Sequence, residues 1–341
     1  MTAFRRRILT LIVAASGGGA FLVLNLPLPM LLGPMLACLV VALAGAPLQD
    51  AGQLGVLMRT ILGVAVGATI TPEVLAGLPA MAGSLSLVPL FIAVIALVGY
   101  PLLRRGFRLD HATAWYGAMP GGLTDMLVFG EEAGGDIRAL SLIHATRVLV
   151  IVTVAPLIIG GLWGVDLARP PGQPMRSIAG HELALMIGCA ILGWKLAERV
   201  GLFGASILGP LVLTAAFSLS GLIRHRPPAE MIQAAQYFIG IAVGSKYAGI
   251  RLRELRLHVT AGLVHALLLA AISLCFIEAV VRLGLAPGVD AFLAFLPGGQ
   301  AEMIVIAIIS GADLAYVVSH HLLRIVLVIV LAPVAGRLLR G

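Results

Sequence analysis

The chain has 341 residues, of which 60% are hydrophobic and only 11% charged, whereas soluble domains keep roughly a quarter of their residues charged. With a mean hydropathy of +1.05, a soluble globular enzyme is excluded. The net charge of +7 is carried by arginines, since Lys195 and Lys246 are the only lysines among 23 basic residues; they lie in short connections, which suits orientation in a membrane better than nucleic-acid binding.

The opening MTAFRRRILTLIVAA joins a basic start to an apolar run. It reads as an uncleaved first span near 8 to 25 rather than a removed secretory signal, because many spans follow. Apolar stretches bounded by charge, glycine and proline come next near 28 to 45, 54 to 70, 83 to 103, 112 to 129 and 138 to 163. A second series lies near 180 to 197, 202 to 222, 232 to 250, 258 to 283, 290 to 309 and 314 to 338. Runs of about twenty apolar residues can cross about 30 Å of hydrocarbon, so the chain is expected to be polytopic.

The two series are a duplication. PGGLTDMLVFGEEAGGDIRALSLIHATRVLVIVTVAP at 120 to 156 lies over PGGQAEMIVIAIISGADLAYVVSHHLLRIVLVIVLAP at 297 to 333 without a gap, at a constant offset of 177. LLGPML at 31 to 36 matches ILGPLV at 207 to 212, and GVAVG at 63 to 67 matches GIAVG at 240 to 244. The expected domains are a first membrane repeat, 1–170, and a second, 178–341. Helix breakers at corresponding places of two halves are the pattern of secondary transporters.

Loop charge bears on whether the repeat is parallel or inverted. After GVAVG the first half reads TPEVLAG, with Glu73 and no basic residue, whereas the counterpart SKYAGIRLRELR carries Lys246, Arg251, Arg253 and Arg256. Opposite charge habits at corresponding loops favour opposite sides of the membrane. With Arg5, Arg6 and Arg7 inside and one segment per half re-entrant, Arg104, Arg105, Arg108, Lys195, Arg199, Arg337 and Arg340 also fall inside, and Arg224 and Arg226 fall outside as exceptions. The fold expected is an all-α polytopic membrane protein with two inverted homologous repeats, about ten transmembrane helices and broken or re-entrant segments. Either the PGG segment or LLGPML could supply the break.

Pro120-Gly121-Gly122 and Pro297-Gly298-Gly299 interrupt apolar segments, removing a backbone donor and lowering helix propensity. Open backbone at membrane depth is tolerated only inside protein or beside water, so these are read as broken-helix backbone rather than simple kinks. Asp125 and Glu302 follow each break at matched positions, and intramembrane carboxylates are functional candidates by default. They could bind a substrate or ion, or pair structurally with Arg147 and Arg324. His144 with Arg147, and His321 with Arg324, are spaced to share a helix face. Each pair could hold an anionic substrate group or cap the carbonyls and carboxylate of the neighbouring broken segment. Asp136 and Asp313 are expected helix caps, and Gly63, Gly67, Gly240 and Gly244 expected packing points.

Cys38, Cys189 and Cys275 are odd in number, far apart and embedded in apolar sequence, which makes them packing residues. No nucleotide-binding loop, dinucleotide fingerprint or HExxH motif is present, and the eight histidines form no metal-ligand cluster.

The duplication, PGGLTDM with PGGQAEM, and LLGPML with ILGPLV together resemble the bacterial membrane AbrB duplication family, over nearly the whole chain. Members carry names such as AbrB family transcriptional regulator and ammonia monooxygenase. The resemblance implies a duplicated membrane architecture. A direct regulator would need an exposed basic reading module, which no loop is long enough to hold, and an oxygenase would need a metal constellation.

Two functional expectations follow. The first is a secondary transporter or exchanger of a small polar or ionic solute, coupled to protons or sodium, with its site where the two broken segments meet. The alternative is a non-transporting integral membrane regulator that influences gene expression indirectly. Neither is an enzyme or calls for a cofactor. The expected partners are the lipid bilayer and a small solute or ion, without direct nucleic-acid contact and as monomer or homodimer; the expected location is the bacterial cytoplasmic (inner) membrane, multi-pass.

Overall fold

A computed structural model of the chain describes residues 2–167, 170–202, 204–251 and 254–339, apart from the side chains of residues 73, 75, 78 and 124. Arg253, Arg340 and the Glu73 side chain, weighed above for loop charge, lie outside the described residues. The regular elements are helical: α1 (Ala3–Val23), α2 (Pro29–Leu43), α3 (Gln53–Gly67), α4 (Pro79–Gly106), α5 (His111–Ala118), α6 (Leu123–Glu132) and α7 (Ile137–Trp163), then α8 (Gly180–Arg199), α9 (Ala205–Leu219), α10 (Ala229–Gly244), α11 (Leu255–Arg282), α12 (Gly288–Phe295), α13 (Gln300–Ser310) and α14 (Leu314–Leu338). Among the described residues α1, α4, α7, α11 and α14, 21 to 28 residues long, are apolar and long enough to cross a membrane. Their reach is roughly 31 to 42 Å at 1.5 Å per residue.

The breaks fall at the Pro-Gly-Gly sequences. Helix α5 stops at Ala118, where Met119 turns extended with ψ 133°, and α6 starts after Gly122. Helix α12 stops at Phe295, Leu296 turns extended with ψ 124°, and α13 starts at Gln300. The other candidate breaker behaves differently. Pro34 and Pro210 are each the sixth residue of an unbroken helix, where a missing N–H forfeits a single intrahelical bond.

By contacts the chain divides into two units, each drawing on both sequence halves. The first comprises Met1–Pro79, Pro156–Gly249 and Ala301–Ala315. It is built on glycine-mediated helix crossings. A Cβ on Gly17 of α1 would run into the backbone of Gly33 of α2, and one on Gly193 of α8 into the backbone of Gly209 of α9. Gly63 and Gly67 of α3 lie against the carbonyls of Ile207 and Leu211 of α9, while Gly240 and Gly244 of α10 lie against those of Leu31 and Met35 of α2. Small residues permit such close backbone approach. The contacts are reciprocal: a first-half helix meets a second-half helix and their counterparts meet in return. That is the signature of a two-fold relation, and it supports the internal repeat.

The second unit comprises Ala80–Ala155, Ile250–Gln300 and Tyr316–Gly341. Phe91 of α4 packs edge-on against Phe276 of α11 and Phe295 of α12, with ring centroids 5.1 and 5.6 Å apart. Trp115 Nε1 of α5 donates to the Ala332 carbonyl of α14 at 2.8 Å. Both broken segments' first halves, α5 and α12, lie in this unit.

Candidate functional site: the ends of two broken helices

Ending α5 at Ala118 leaves carbonyls with no helical donor. Arg147, on α7, supplies donors: Nη1 to the Met119 carbonyl and Nη2 to the Gly121 carbonyl, each at 3.2 Å. Arg324, on α14, repeats the arrangement, Nη1 to Leu296 and Nη2 to Gly298, again at 3.2 Å. Three residues earlier, His144 Nε2 donates to the Tyr116 carbonyl at 3.1 Å and His321 Nε2 to the Leu293 carbonyl at 2.8 Å. All four side chains are buried. Arg324 also donates to His321 Nδ1 at 3.1 Å, so that nitrogen carries a lone pair and the ring is the neutral Nε2–H tautomer.

The carboxylates occupy the other side of each break. Asp125 and Glu302 lie in the first turns of α6 and α13, where the partial positive charge of a helix start favours an anion. Each broken segment thus has a cation at the carbonyl end of its first half and an anion at the amide end of its second. The duplicated sequence Pro-Gly-Gly, carboxylate, His, Arg thus brings donors to the carbonyls of each break and places an acidic residue in the first turn that follows it.

Asp136 caps α7 by accepting the Ala139 N–H at 3.0 Å, and its own N–H donates to Thr113 Oγ1 at 2.8 Å. Three features went unseen in the sequence. His265 of α11 is fully buried, and among the described residues neither ring nitrogen has a hydrogen-bond partner; its counterpart at the 177-residue offset is Val88, so the duplication did not flag it. His320 Nε2 meets Ser84 Oγ at 3.0 Å. Glu182, buried at the start of α8, accepts the backbone N–H groups of Arg224 and His225 at 2.6 and 2.7 Å and meets His225 Nδ1 at 2.9 Å. A carboxylate in an apolar run was the only sequence signal for that clamp. Among the described residues no group of three His, Cys, Asp or Glu side chains could hold a metal.

A protein-family model described as "Transition state regulatory protein AbrB" matches residues 30–340. The chain is 28% identical over 330 residues to "Putative regulator AbrB" of Escherichia coli (strain K12), covering 93% of this chain and 91% of that one. It is 26% identical over 357 residues to "Uncharacterized protein YhjN" of Bacillus subtilis (strain 168), covering 96% and 91%. These matches correct the transporter expectation: the names that state a role state a regulatory one, and none describes transport. The duplicated intramembrane charges that prompted it lie beside helix ends, where Arg147 and Arg324 donate to backbone carbonyls. The long apolar helices and the bacterial relatives place the protein in the bacterial inner membrane as a multi-pass protein.

Proposed function

The chain belongs to the AbrB family, matched across residues 30–340, and we propose that it is a non-transporting integral membrane regulator whose effect on gene expression is indirect, relayed by a partner. The observation that carries this reading is where the match lies: it covers the helices from α2 to α14. A direct reader of DNA presents a basic patch or stripe to phosphates. The longest connection between the helices, residues 164–179, holds only two basic residues, Arg169 and Arg176. Regulation by such a chain passes through something else.

In the same reading, residues 1–170 and 178–341 are inverted repeats with about ten crossings, which accounts for the opposite charge of the corresponding loops after α3 and α10. His144, Arg147, His321 and Arg324, with Asp125 and Glu302, close the ends of the broken helices at Pro120–Gly122 and Pro297–Gly299 and hold the fold. Lys246, Arg251 and Arg256 form the cytoplasmic face that a partner reads. Deletion and complementation test the proposal. A reproducible set of transcripts is expected to change on deletion and to return with the wild-type chain, but not with Arg251→Ala/Arg256→Ala inserted at the same level. A deletion that leaves the transcripts unchanged overturns it.

A further inference from the structure

Arg224 and Arg226 are the two arginines that break the charge rule, falling outside in the inverted topology. They share a cavity of about 330 Å³ within the first unit, near the lower end of the range of small-molecule sites. Its wall also includes Thr69, just beyond α3, with Asp313, Leu314 and Ala315 at the start of α14. Among the described residues neither guanidinium has a carboxylate ion-pair partner.

Two features make this more than a pair of surface arginines. The loop is fixed from beneath: the buried Glu182 carboxylate takes the N–H groups of Arg224 and His225 together with the His225 ring, so the residues on either side of His225 are held at the same wall. The second is the charge balance. Two guanidinium charges stand against the one carboxylate of Asp313, while the half-charges of the α14 start and the α3 end cancel, leaving about +1 in the cavity.

We propose that this cavity binds a small soluble oxyanion, a phosphate or carboxylate, held by the Arg224 and Arg226 guanidinium groups against the first turn of α14. Planar guanidinium forks are the side chains suited to such groups. The site explains why two arginines lie on the side where the topology otherwise avoids them. Binding is independent of the regulator reading and is measured without any gene-expression readout.

The test uses the full chain purified in neutral detergent, with the melting midpoint followed as sodium phosphate replaces sodium chloride at constant ionic strength. A ligand that binds the folded state raises its stability. The wild type is expected to show a saturable rise, the Arg224→Gln/Arg226→Gln variant to lose it, and the Arg251→Gln control to keep it. Arg226→Lys, which keeps charge but not the fork, is expected to need about tenfold more phosphate. A wild type that does not respond, or a double variant that responds equally, overturns the proposal. A parallel series in nanodiscs of phosphatidylcholine or phosphatidylglycerol separates the sources. If only phosphatidylglycerol distinguishes wild type from the double variant, the occupant is a lipid headgroup and the soluble-anion proposal fails.

Discussion

Replacing Arg324 by methionine keeps an unbranched side chain in place and removes the donors. Arg324 is 3% exposed and donates to the Leu296 and Gly298 carbonyls at 3.2 Å. A buried acceptor left unsatisfied costs about 1–3 kcal/mol, so the two carbonyls alone cost roughly 2–6 kcal/mol, and His321 Nδ1 loses its donor as well. Deleting a buried guanidinium also removes its own desolvation penalty, which places the expected loss in the lower part of that range, roughly 2–4 kcal/mol. Arg324→Lys, with one ammonium in place of a two-pronged donor, is expected to lose about half as much. The assay is the melting midpoint in detergent relative to Arg337→Met, a control at an exposed site, combined with limited proteolysis between Phe295 and Gln300. Arg147 donates to the Met119 and Gly121 carbonyls at the same 3.2 Å, so Arg147→Met is expected to act on residues 118–123 in the same direction. If Arg324→Met melts with the control and its break is no more readily cleaved, the closing role assigned to the arginine is wrong.

Other consequences are simpler to check. Gly33→Val and Gly209→Val are expected to abolish a monodisperse peak in size-exclusion chromatography, because a Cβ at either position meets partner backbone that cannot yield. Gly188→Ala, with nothing within 4 Å of its Cβ, is expected to be neutral or stabilising by about 0.5–1 kcal/mol. Asp136→Ala removes the cap on Ala139 and is expected to lower the melting midpoint by the equivalent of about 1 kcal/mol. Glu254 accepts the Arg251 N–H at 2.7 Å and the Arg138 Nε–H at 3.3 Å, which hold its carboxyl below the usual glutamate range. A depressed carboxyl stabilises the fold above its unfolded pKa and loses that contribution as pH falls through the folded one. Wild type is therefore expected to exceed Glu254→Gln by up to about 1 kcal/mol, with a gap that is constant down to about pH 4.3 and closes below it.

Much of the fold could be read in the chain because membrane helices announce themselves by length and apolarity. The gapless match of 120–156 with 297–333 also indicated which residues play equivalent parts: Arg147 and Arg324 each donate to two carbonyls at the corresponding break, and Arg324 in addition donates to His321 Nδ1. Sequence could not decide between the two candidate breakers. Pro34 and Pro210 carry the same residue type as Pro120 and Pro297, and what separates them is the Gly-Gly that follows the latter and the extended backbone of Met119 and Leu296. Nor did spacing name the arginines' acceptors: Met119 and Gly121 present carbonyls, and backbone acceptors leave no mark in residue identity. The interleaving of both halves within each contact unit was equally hidden, since Gly63 and Gly240 read as packing points without revealing that each packs on the opposite half. Arg224 and Arg226 entered only as exceptions to a charge rule. The transporter inference, overturned by the family match, rested on intramembrane charges, and in one dimension a charge beside a helix end looks like one that serves a solute.

As a regulator of the kind proposed, the chain alters gene expression from within the membrane without reading DNA. The most direct measurement expresses the chain from an inducible promoter in a deletion background, follows transcripts after induction, and in the same cells crosslinks protein to DNA and recovers what the chain holds. A defined set of transcripts is expected to respond while their promoters are absent from the recovered DNA. Recovery of those promoters with the chain, or transcripts that do not respond to its insertion, would contradict that expectation.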